Sequence, residues 1–536
     1  VGGPAEPRGV TVRTEAAPAA ATDASYRALL LVTLVPAVLL LAAVVRLPWA
    51  GDLGMHAAVV ERLRADLPHP GHPLVDADVP SPYYSPWMVV LALLAAATGA
   101  SAPAVLHLAA LAGLVAFGTG VRAFVRTLTG RRAAVPLALL CVLFLYGTRL
   151  FAWSGVPGLT SLALTAAYPS TLALGLALHL WALTRRAVAE RWRMARFLGL
   201  GLLLALVLLV HQFTGAVAAL GVVSVLLGAR PLPTRAVWLR VGAGALLAGA
   251  VLAAWPYYPF TALFGADGLE AIHRSLYRHL LPKFCLVSLG VVALCARWRR
   301  DPRDPLVLLF LLGTVVFAAG GLTGHWSWGR ILPAVLLPAQ LALAVEAAGR
   351  AGPSADAAGG IGRRAGPSAD APGGTGRRAG PLLVGATAAA LLTGAYVQAG
   401  AVSYALPARA ARIVRAHVPS IAPWPSFAWA ARRVPAGETV MTDDYLALRM
   451  LPAYGPYTVA PAYPDVFLTD EQERRAVTRR YYAPSADRAQ RLSALRAYGA
   501  RWVLQRDGGP GLPPDDPALR RAARGPGGLM LLEVKR

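Results

Sequence analysis

The sequence predicts a polytopic α-helical membrane protein carrying a small α/β domain outside the membrane. Three observations predict it. Hydrophobic residues make up 56% of the 536 and charged residues only 15%, too apolar for a soluble protein. About eleven apolar runs are long enough, or nearly so, to cross a bilayer. From about residue 406 the character changes: charge rises, and helix-like and strand-like runs alternate.

The net charge of +24 does not point to nucleic acid, because the basic residues gather at the ends of apolar runs, where membrane topology puts them. Cys141, Cys285 and Cys295 all lie inside apolar runs, without a disulfide framework or metal spacing, and read as small buried hydrophobes. The abundance of Ala, Arg, Gly and Pro beside scarce Lys fits a GC-rich bacterial genome.

In chain order, residues 1–26 are polar and rich in Ala and Pro, and read as a disordered cytoplasmic tail. The membrane domain is expected over 27–405. Its first span, Ala28–Val45, has no small-residue cleavage site after it and reads as an uncleaved anchor. Residues 46–102 form the first outer loop. Within it Trp87–Thr98 is apolar but too short to span, and Pro80, Pro82 and Pro86 isolate it as an interfacial or re-entrant helix. Spans follow at roughly 103–121, 133–149, 167–184, 197–212, 214–229, 237–254, 284–296, 305–324, 331–348 and 381–405. The run at 284–296 is short and is expected to borrow residues from Pro282 onward. Between the last two spans, 349–380 is a cytoplasmic loop in which Arg350–Asp356 recurs as Arg364–Asp370. Its Gly, Pro and Ala content without apolar periodicity predicts a disordered linker.

Counting Lys and Arg orients these spans. With the N-terminus inside, the inner loops hold 24 basic residues and the outer loops eight, the asymmetry that positive-inside insertion requires. An odd number of spans then leaves 406–536 outside. That segment predicts strands at Glu438–Thr442, Thr458–Ala460, Arg501–Gln505 and Leu529–Val534, a short helix at Tyr445–Leu451, and a helix capped by Ser485 running to about Tyr498. Asp443-Asp444 reads as turn chemistry.

Candidate chemistry concentrates in the first outer loop. Asp52 and His56 are four apart and share a face if a helix begins near Gly51. At that helix's N-terminus the dipole favours a charged Asp52, able to accept a proton from a hydroxyl; capping of the helix by the same side chain is an equally open reading. Glu61 reads as a solvated face residue. His69, His72, Asp76 and Asp78 match no standard metal motif, which favours a plain polar loop over a divalent-cation site. Tyr83, Tyr84 and Trp87 fit an interfacial aromatic belt, with stacking on a sugar as the second use. Basic residues on the outer side are few. Arg330, beside His325 and two Trp, suits contact with an anionic phosphate, while Arg278 and Lys283 fit that role or snorkelling anchors equally well. His107 and His179 read as interhelical hydrogen bonders, and His211 borders the outer side.

In layout the chain resembles the GT-C superfamily of membrane glycosyltransferases, which includes protein mannosyltransferases, lipid A aminoarabinose transferases and mycobacterial arabinosyltransferases. The resemblance rests on Asp52 opening the first outer loop, the Ser81–Trp87 stretch, the count of spans, and an outer α/β domain with Tyr498-Gly499-Ala500-Arg501-Trp502-Val503-Leu504 near its end. It implies a polyprenyl-phosphate-linked sugar donor, an envelope glycan, lipid or protein as acceptor, and Asp52 as general base. His56, Tyr83, Tyr84, Arg278, Lys283, His325 and Arg330 are then the candidate substrate contacts. The chain departs from members that pair Asp with Glu, since Leu53 follows Asp52; a divalent cation stays an open part of the expectation. Two rival classes remain, a transporter or flippase of envelope precursors and a non-catalytic scaffold. The scarcity of acid inside the spans speaks against ion coupling, with Glu346 near an inner end.

Overall fold

The computed structural model describes residues 17–265, 270–350 and 375–535. Residues 1–16 of the expected tail, and 351–374 with most of the expected linker and its repeat, lie outside the described residues. The first helix, α1 (Ala17–Arg46), starts within the segment expected to be a disordered tail, because Ala-rich residues extend the apolar run in the N-terminal direction.

α2 (Leu53–Ala65) and α3 (Pro86–Thr98) fill the loop between the first two spans, expected to lie outside. α3 has 13 residues, about 20 Å at 1.5 Å per residue, against a hydrocarbon core of about 30 Å. Its Ser85 cap accepts the Met88 N–H and Gly99 ends it in the left-handed region, so it is a self-contained short helix. The remaining membrane helices are α4 (Ala102–Leu128), α5 (Ala134–Phe144), α6 (Leu159–Thr165), α7 (Pro169–Ala189), α8 (Met194–Val210), α9 (Gln212–Leu227) and α10 (Arg235–Ala253). After them come the short α11 (Glu270–His273) and α12 (Leu280–Phe284), then α13 (Ser288–Arg300), α14 (Pro305–Thr323), α15 (Leu332–Arg350) and α16 (Thr375–Val397).

Seven helical runs among the described residues are long and apolar enough to cross a membrane, and the shorter apolar helices α5, α8, α9 and Leu382–Val397 occupy the other expected spans. The short run at 284–296 is lengthened on both sides, to Leu280–Arg300. The run Trp326–Gly349 is 94% buried over its most apolar window, against 17% for Arg235–Ala253. One is the central post of the bundle and the other faces outward. At the post's far end Arg297 reaches Asp304 at 2.5 Å and Glu346 at 3.3 Å, and Arg300 reaches Glu346 at 2.7 Å, tying three helices together.

The C-terminal domain contains α17 (Ala408–His417), α18 (Ala428–Ala431), β1 (Thr439–Met441), α19 (Ala447–Met450), β2 (Tyr457–Thr458), α20 (Glu471–Tyr481), α21 (Arg488–Ala497), β3 (Trp502–Arg506), β4 (Leu519–Arg524) and β5 (Leu529–Val534). Its sheet has the order β2-β1-β3-β5-β4, parallel from β2 to β3 and antiparallel from β3 to β4. Met441, Val503 and Leu532 pack under α20 and α21 on one face; Val440, Leu504 and Leu531 pack on Phe427 and Met450 on the other. Asp487, not Ser485, caps α21, in a reciprocal capping box with Gln490. β4 escaped recognition because it is a largely exposed edge strand whose sequence, LRRAAR, has no apolar alternation.

This domain closes on the first outer loop. Arg62, 8% exposed, donates to the Pro456 carbonyl at 2.8 Å and lies 3.6 Å from the Tyr457 ring centroid. The Thr458 N–H donates to the Leu74 carbonyl at 2.9 Å, and Arg474 to that of Asp76 at 3.0 Å. A Cβ on Gly54 would sit 2.1 Å from the Arg449 carbonyl oxygen, so only glycine lets α2 and α19 come this close.

Candidate active site

The turn from the first span into α2 is made by Gly51, whose φ of +54° favours glycine. Beside it the Tyr168 hydroxyl donates to the Ala50 carbonyl and accepts from the Asp52 N–H, each at 2.6 Å. Asp52 thus occupies the N-cap position of α2, but its side chain bonds none of the helix N–H groups. The capping alternative left open by the sequence is not the one the side chain adopts. Oδ1 instead accepts a 2.5 Å hydrogen bond from the Tyr463 hydroxyl, and among the described residues no donor reaches Oδ2.

Asp52 opens onto a cavity of about 570 Å³, within the ordinary size of ligand sites. The loop after the first span contributes Asp52, His56 and Tyr83; the membrane helices contribute His211, Phe213 and Arg330; the C-terminal domain contributes Tyr445, Arg449 and Tyr463. Burial holds His56 down to about 4, only partly opposed by the Asp52 charge, so its ring is neutral at physiological pH; it packs edge-on to Tyr168 at 4.7 Å. Burial, reinforced by the Asp52 charge, pushes the Tyr83 and Tyr463 phenols well above the ordinary tyrosine range, which keeps both as O–H donors.

Arg330 lies across the cavity with its Nη2 3.0 Å from His211 Nε2 and its guanidinium 4.8 Å from the Phe213 ring centroid. A guanidinium and a main-chain N–H only donate, and they face Nε2 at 3.0 Å and Nδ1 at 3.2 Å, so Arg330 and the Thr214 N–H compete for the one lone pair of the neutral ring, with the Thr214 hydroxyl 2.8 Å from Nδ1. Arg330 therefore leans on a neutral imidazole and aromatic faces, and among the described residues no carboxylate pairs with it.

The cavity brings Asp52, His56, Tyr83 and Arg330 together. Four other predicted contacts lie outside its lining. Tyr84 is 1% exposed and donates to the Gly71 carbonyl at 2.7 Å, a packing role. Lys283 donates to the Ser275 carbonyl at 2.7 Å and lies 5.0 Å from the Phe151 ring centroid. Arg278 is exposed beyond a 3₁₀ turn. His325 is exposed and stacks on Trp328 at 5.3 Å. A basic or aromatic residue near an outer span end was readable in each case, but the direction of its side chain was not. Tyr168, Arg449 and Tyr463 were missed, because no local pattern marks them.

In the loop after the first span, His72 is engaged within the fold. His72 Nδ1 accepts from the N–H groups of Leu74 and Val75, and its Nε2 faces Asp465 at 3.3 Å. Among the described residues no group of three or more His, Cys, Asp or Glu is placed to hold a metal ion. A hydrated divalent ion bridging substrate phosphate asks for fewer protein ligands; Asp52 and Asp465 both line the cavity, Asp52 with Oδ2 unengaged and Asp465 with Oδ2 facing His72 at 3.3 Å.

No protein-family model matches the sequence, and no curated protein matches it. Solved structures that share the fold include the following two. One is the arabinofuranosyltransferase AftD from Mycobacteria, with a TM-score of 0.53 and 16% identity over 95% of this chain and 40% of that one. The chain thus spans about 40% of the length of that enzyme. The other is ArnT from Cupriavidus metallidurans in the apo state, with a TM-score of 0.52 and 14% identity over 94% of this chain and 97% of that one. The chain has the fold of these two structures, a multi-pass helical membrane domain with a C-terminal α/β domain.

Proposed function

We propose that the protein is a membrane glycosyltransferase that moves a sugar from a polyprenyl-phosphate donor to a cell-envelope acceptor at the outer face of the membrane, with Asp52 as general base. One observation carries the reading. A carboxylate with one oxygen unengaged and an arginine with no carboxylate partner line the same cavity, at the junction of membrane helices and outer domain. The fold shared with glycosyltransferases supports it. The excess of inner-loop Lys and Arg supports a cytoplasmic N-terminus and an outer C-terminal domain.

In the proposed step the acceptor hydroxyl oxygen attacks the anomeric carbon while Asp52 Oδ2 takes its proton. The bond from the anomeric carbon to the phosphate oxygen breaks, and the lipid phosphate leaves with the electron pair. Arg330, held by His211, takes up the charge that develops on it. Tyr83 and neutral His56 shape the wall beside the reacting hydroxyl without competing for the proton. The lipid tail runs between membrane helices, and the loop helices align the two reactants.

Purified protein in lipid, supplied with a panel of polyprenyl-phosphate sugars and envelope acceptors, tests the reading. Wild type transfers sugar, and Asp52→Asn, folded to the same melting temperature, loses about 1,000-fold in rate. Equal transfer by both removes Asp52 as base. Net movement of lipid-linked precursor across the bilayer without transfer would instead favour a flippase.

A further inference from the structure

We infer that Tyr463 of the outer domain is the positioning residue for Asp52, so that the site is complete only when that domain is seated on the first outer loop. The inference rests on the reading of Asp52 as base.

Two tyrosines hold Asp52, and they hold different parts of it. Tyr168, at the start of α7, fixes the main chain by accepting from the Asp52 N–H. That contact leaves the carboxylate free to turn about its last torsion, which is broad for Asp. Tyr463 removes this freedom by donating to Oδ1, and the other oxygen is left to meet a hydroxyl. A base must lie within hydrogen-bond reach of the proton it takes, so the contact selects a productive orientation of the carboxylate.

Tyr463 is itself preset. The Arg449 guanidinium lies 4.6 Å from its ring centroid and 3.7 Å from that of Tyr445. Arg449 is 8% exposed and its two ends are taken by the carbonyls of Tyr445 at 3.0 Å and Ala462 at 3.2 Å. The stack therefore stays in place without Asp52. Its seat on the membrane domain is equally fixed, by the contact of Gly54 with the Arg449 carbonyl and by the bonds from Arg62 and Thr458. Compare Tyr482 in the same domain, whose hydroxyl lies 3.0 Å from each of two main-chain carbonyls and serves only the domain's own core. Tyr463 spends its hydroxyl on a carboxylate 411 residues away.

Tyr463→Phe tests the inference in the full chain, because it keeps the ring and its stack on Arg449 and removes only the donor. Two readouts are taken. In the transfer assay kcat is expected to fall about 10- to 100-fold with the donor KM within about twofold. The second readout needs no sugar: labelling of Asp52 by a hydrophobic carbodiimide is followed by mass spectrometry at one fixed pH. The extent of labelling in Tyr463→Phe is expected to rise about threefold or more over wild type, because the oxygen that Tyr463 held is then free to react. Unchanged labelling and unchanged kcat overturn the inference while leaving Asp52 as base. Increased labelling in a protein that transfers no sugar upholds the positioning of Asp52 and overturns the glycosyltransferase reading instead.

Discussion

The two ends of the buried run Trp326–Gly349 treat charge in opposite ways. At one end Glu346 is shared by Arg297 and Arg300, and Arg297 also holds Asp304, so each charge finds an opposite one. At the other end Arg330 makes no ion pair among the described residues; it meets His211 and the faces of Phe213 and Trp153, with Asp52 in the same cavity. Both ends lie on one helical post. A buried charge that only holds a fold together is neutralised within the fold, because an unpaired one is costly. On the proposed reading, a charge left without an ion-pair partner meets its counter-ion in the substrate phosphate, and the contrast then separates a structural arginine from a functional one.

Breaking the open end should cost activity and spare the fold. Arg330→Gln is expected to lower kcat about 1,000-fold, roughly 4 kcal/mol, with no loss of melting temperature, as measured in the donor panel assay. Breaking the closed end should do the reverse. Arg297→Met leaves Asp304 without its cation and is expected to destabilise the protein by about 3 kcal/mol, read as a lower apparent melting temperature, with turnover per folded molecule unchanged.

Acid sharpens the comparison further. His56 is buried neutral, with a folded value of about 4 against an ordinary 6.5. A base depressed on folding contributes fully above pH about 6.5 and loses that contribution as pH falls towards 4, because the unfolded chain binds the proton first. The melting temperature is expected to drop across that window, by no more than about 3 kcal/mol of stability, and His56→Asn to flatten the drop. The smallest effect concerns the seam between domains. Gly54→Ala places a methyl against the Arg449 carbonyl and is expected to cost about 1–2 kcal/mol, with a fall in kcat of about tenfold if the Tyr463 contact loosens.

The membrane fold was legible because apolar length is a one-dimensional property. Each expected span carries a helix, and the exclusion of Trp87–Thr98 as a span agrees with its 13 residues. The candidate site was legible in part: Asp52 and Arg330 stood out as charges at span ends, where charge is rare enough to be noticed, and His56 and Tyr83 as polar residues of the loop after the first span. Tyr84, Lys283, Arg278 and His325 met the same criterion and lie elsewhere, because position along a chain does not fix the direction of a side chain. Tyr168 and Tyr463 carried no signal. Each meets Asp52 through the tertiary fold, and nothing in Pro461-Ala462-Tyr463-Pro464 distinguishes that tyrosine from others. Glycine was the unread clue: Gly51 and Gly54 bracket Asp52 because one must turn and the other must admit a neighbour.

The distance in sequence between Asp52 and Tyr463 also sets an order of events during synthesis. A ribosome that has just made Asp52 still has most of the polypeptide to translate before the tyrosine that bonds its carboxylate exists. On the proposed reading, the competence of the growing chain is therefore deferred until the distal domain has been made and docked.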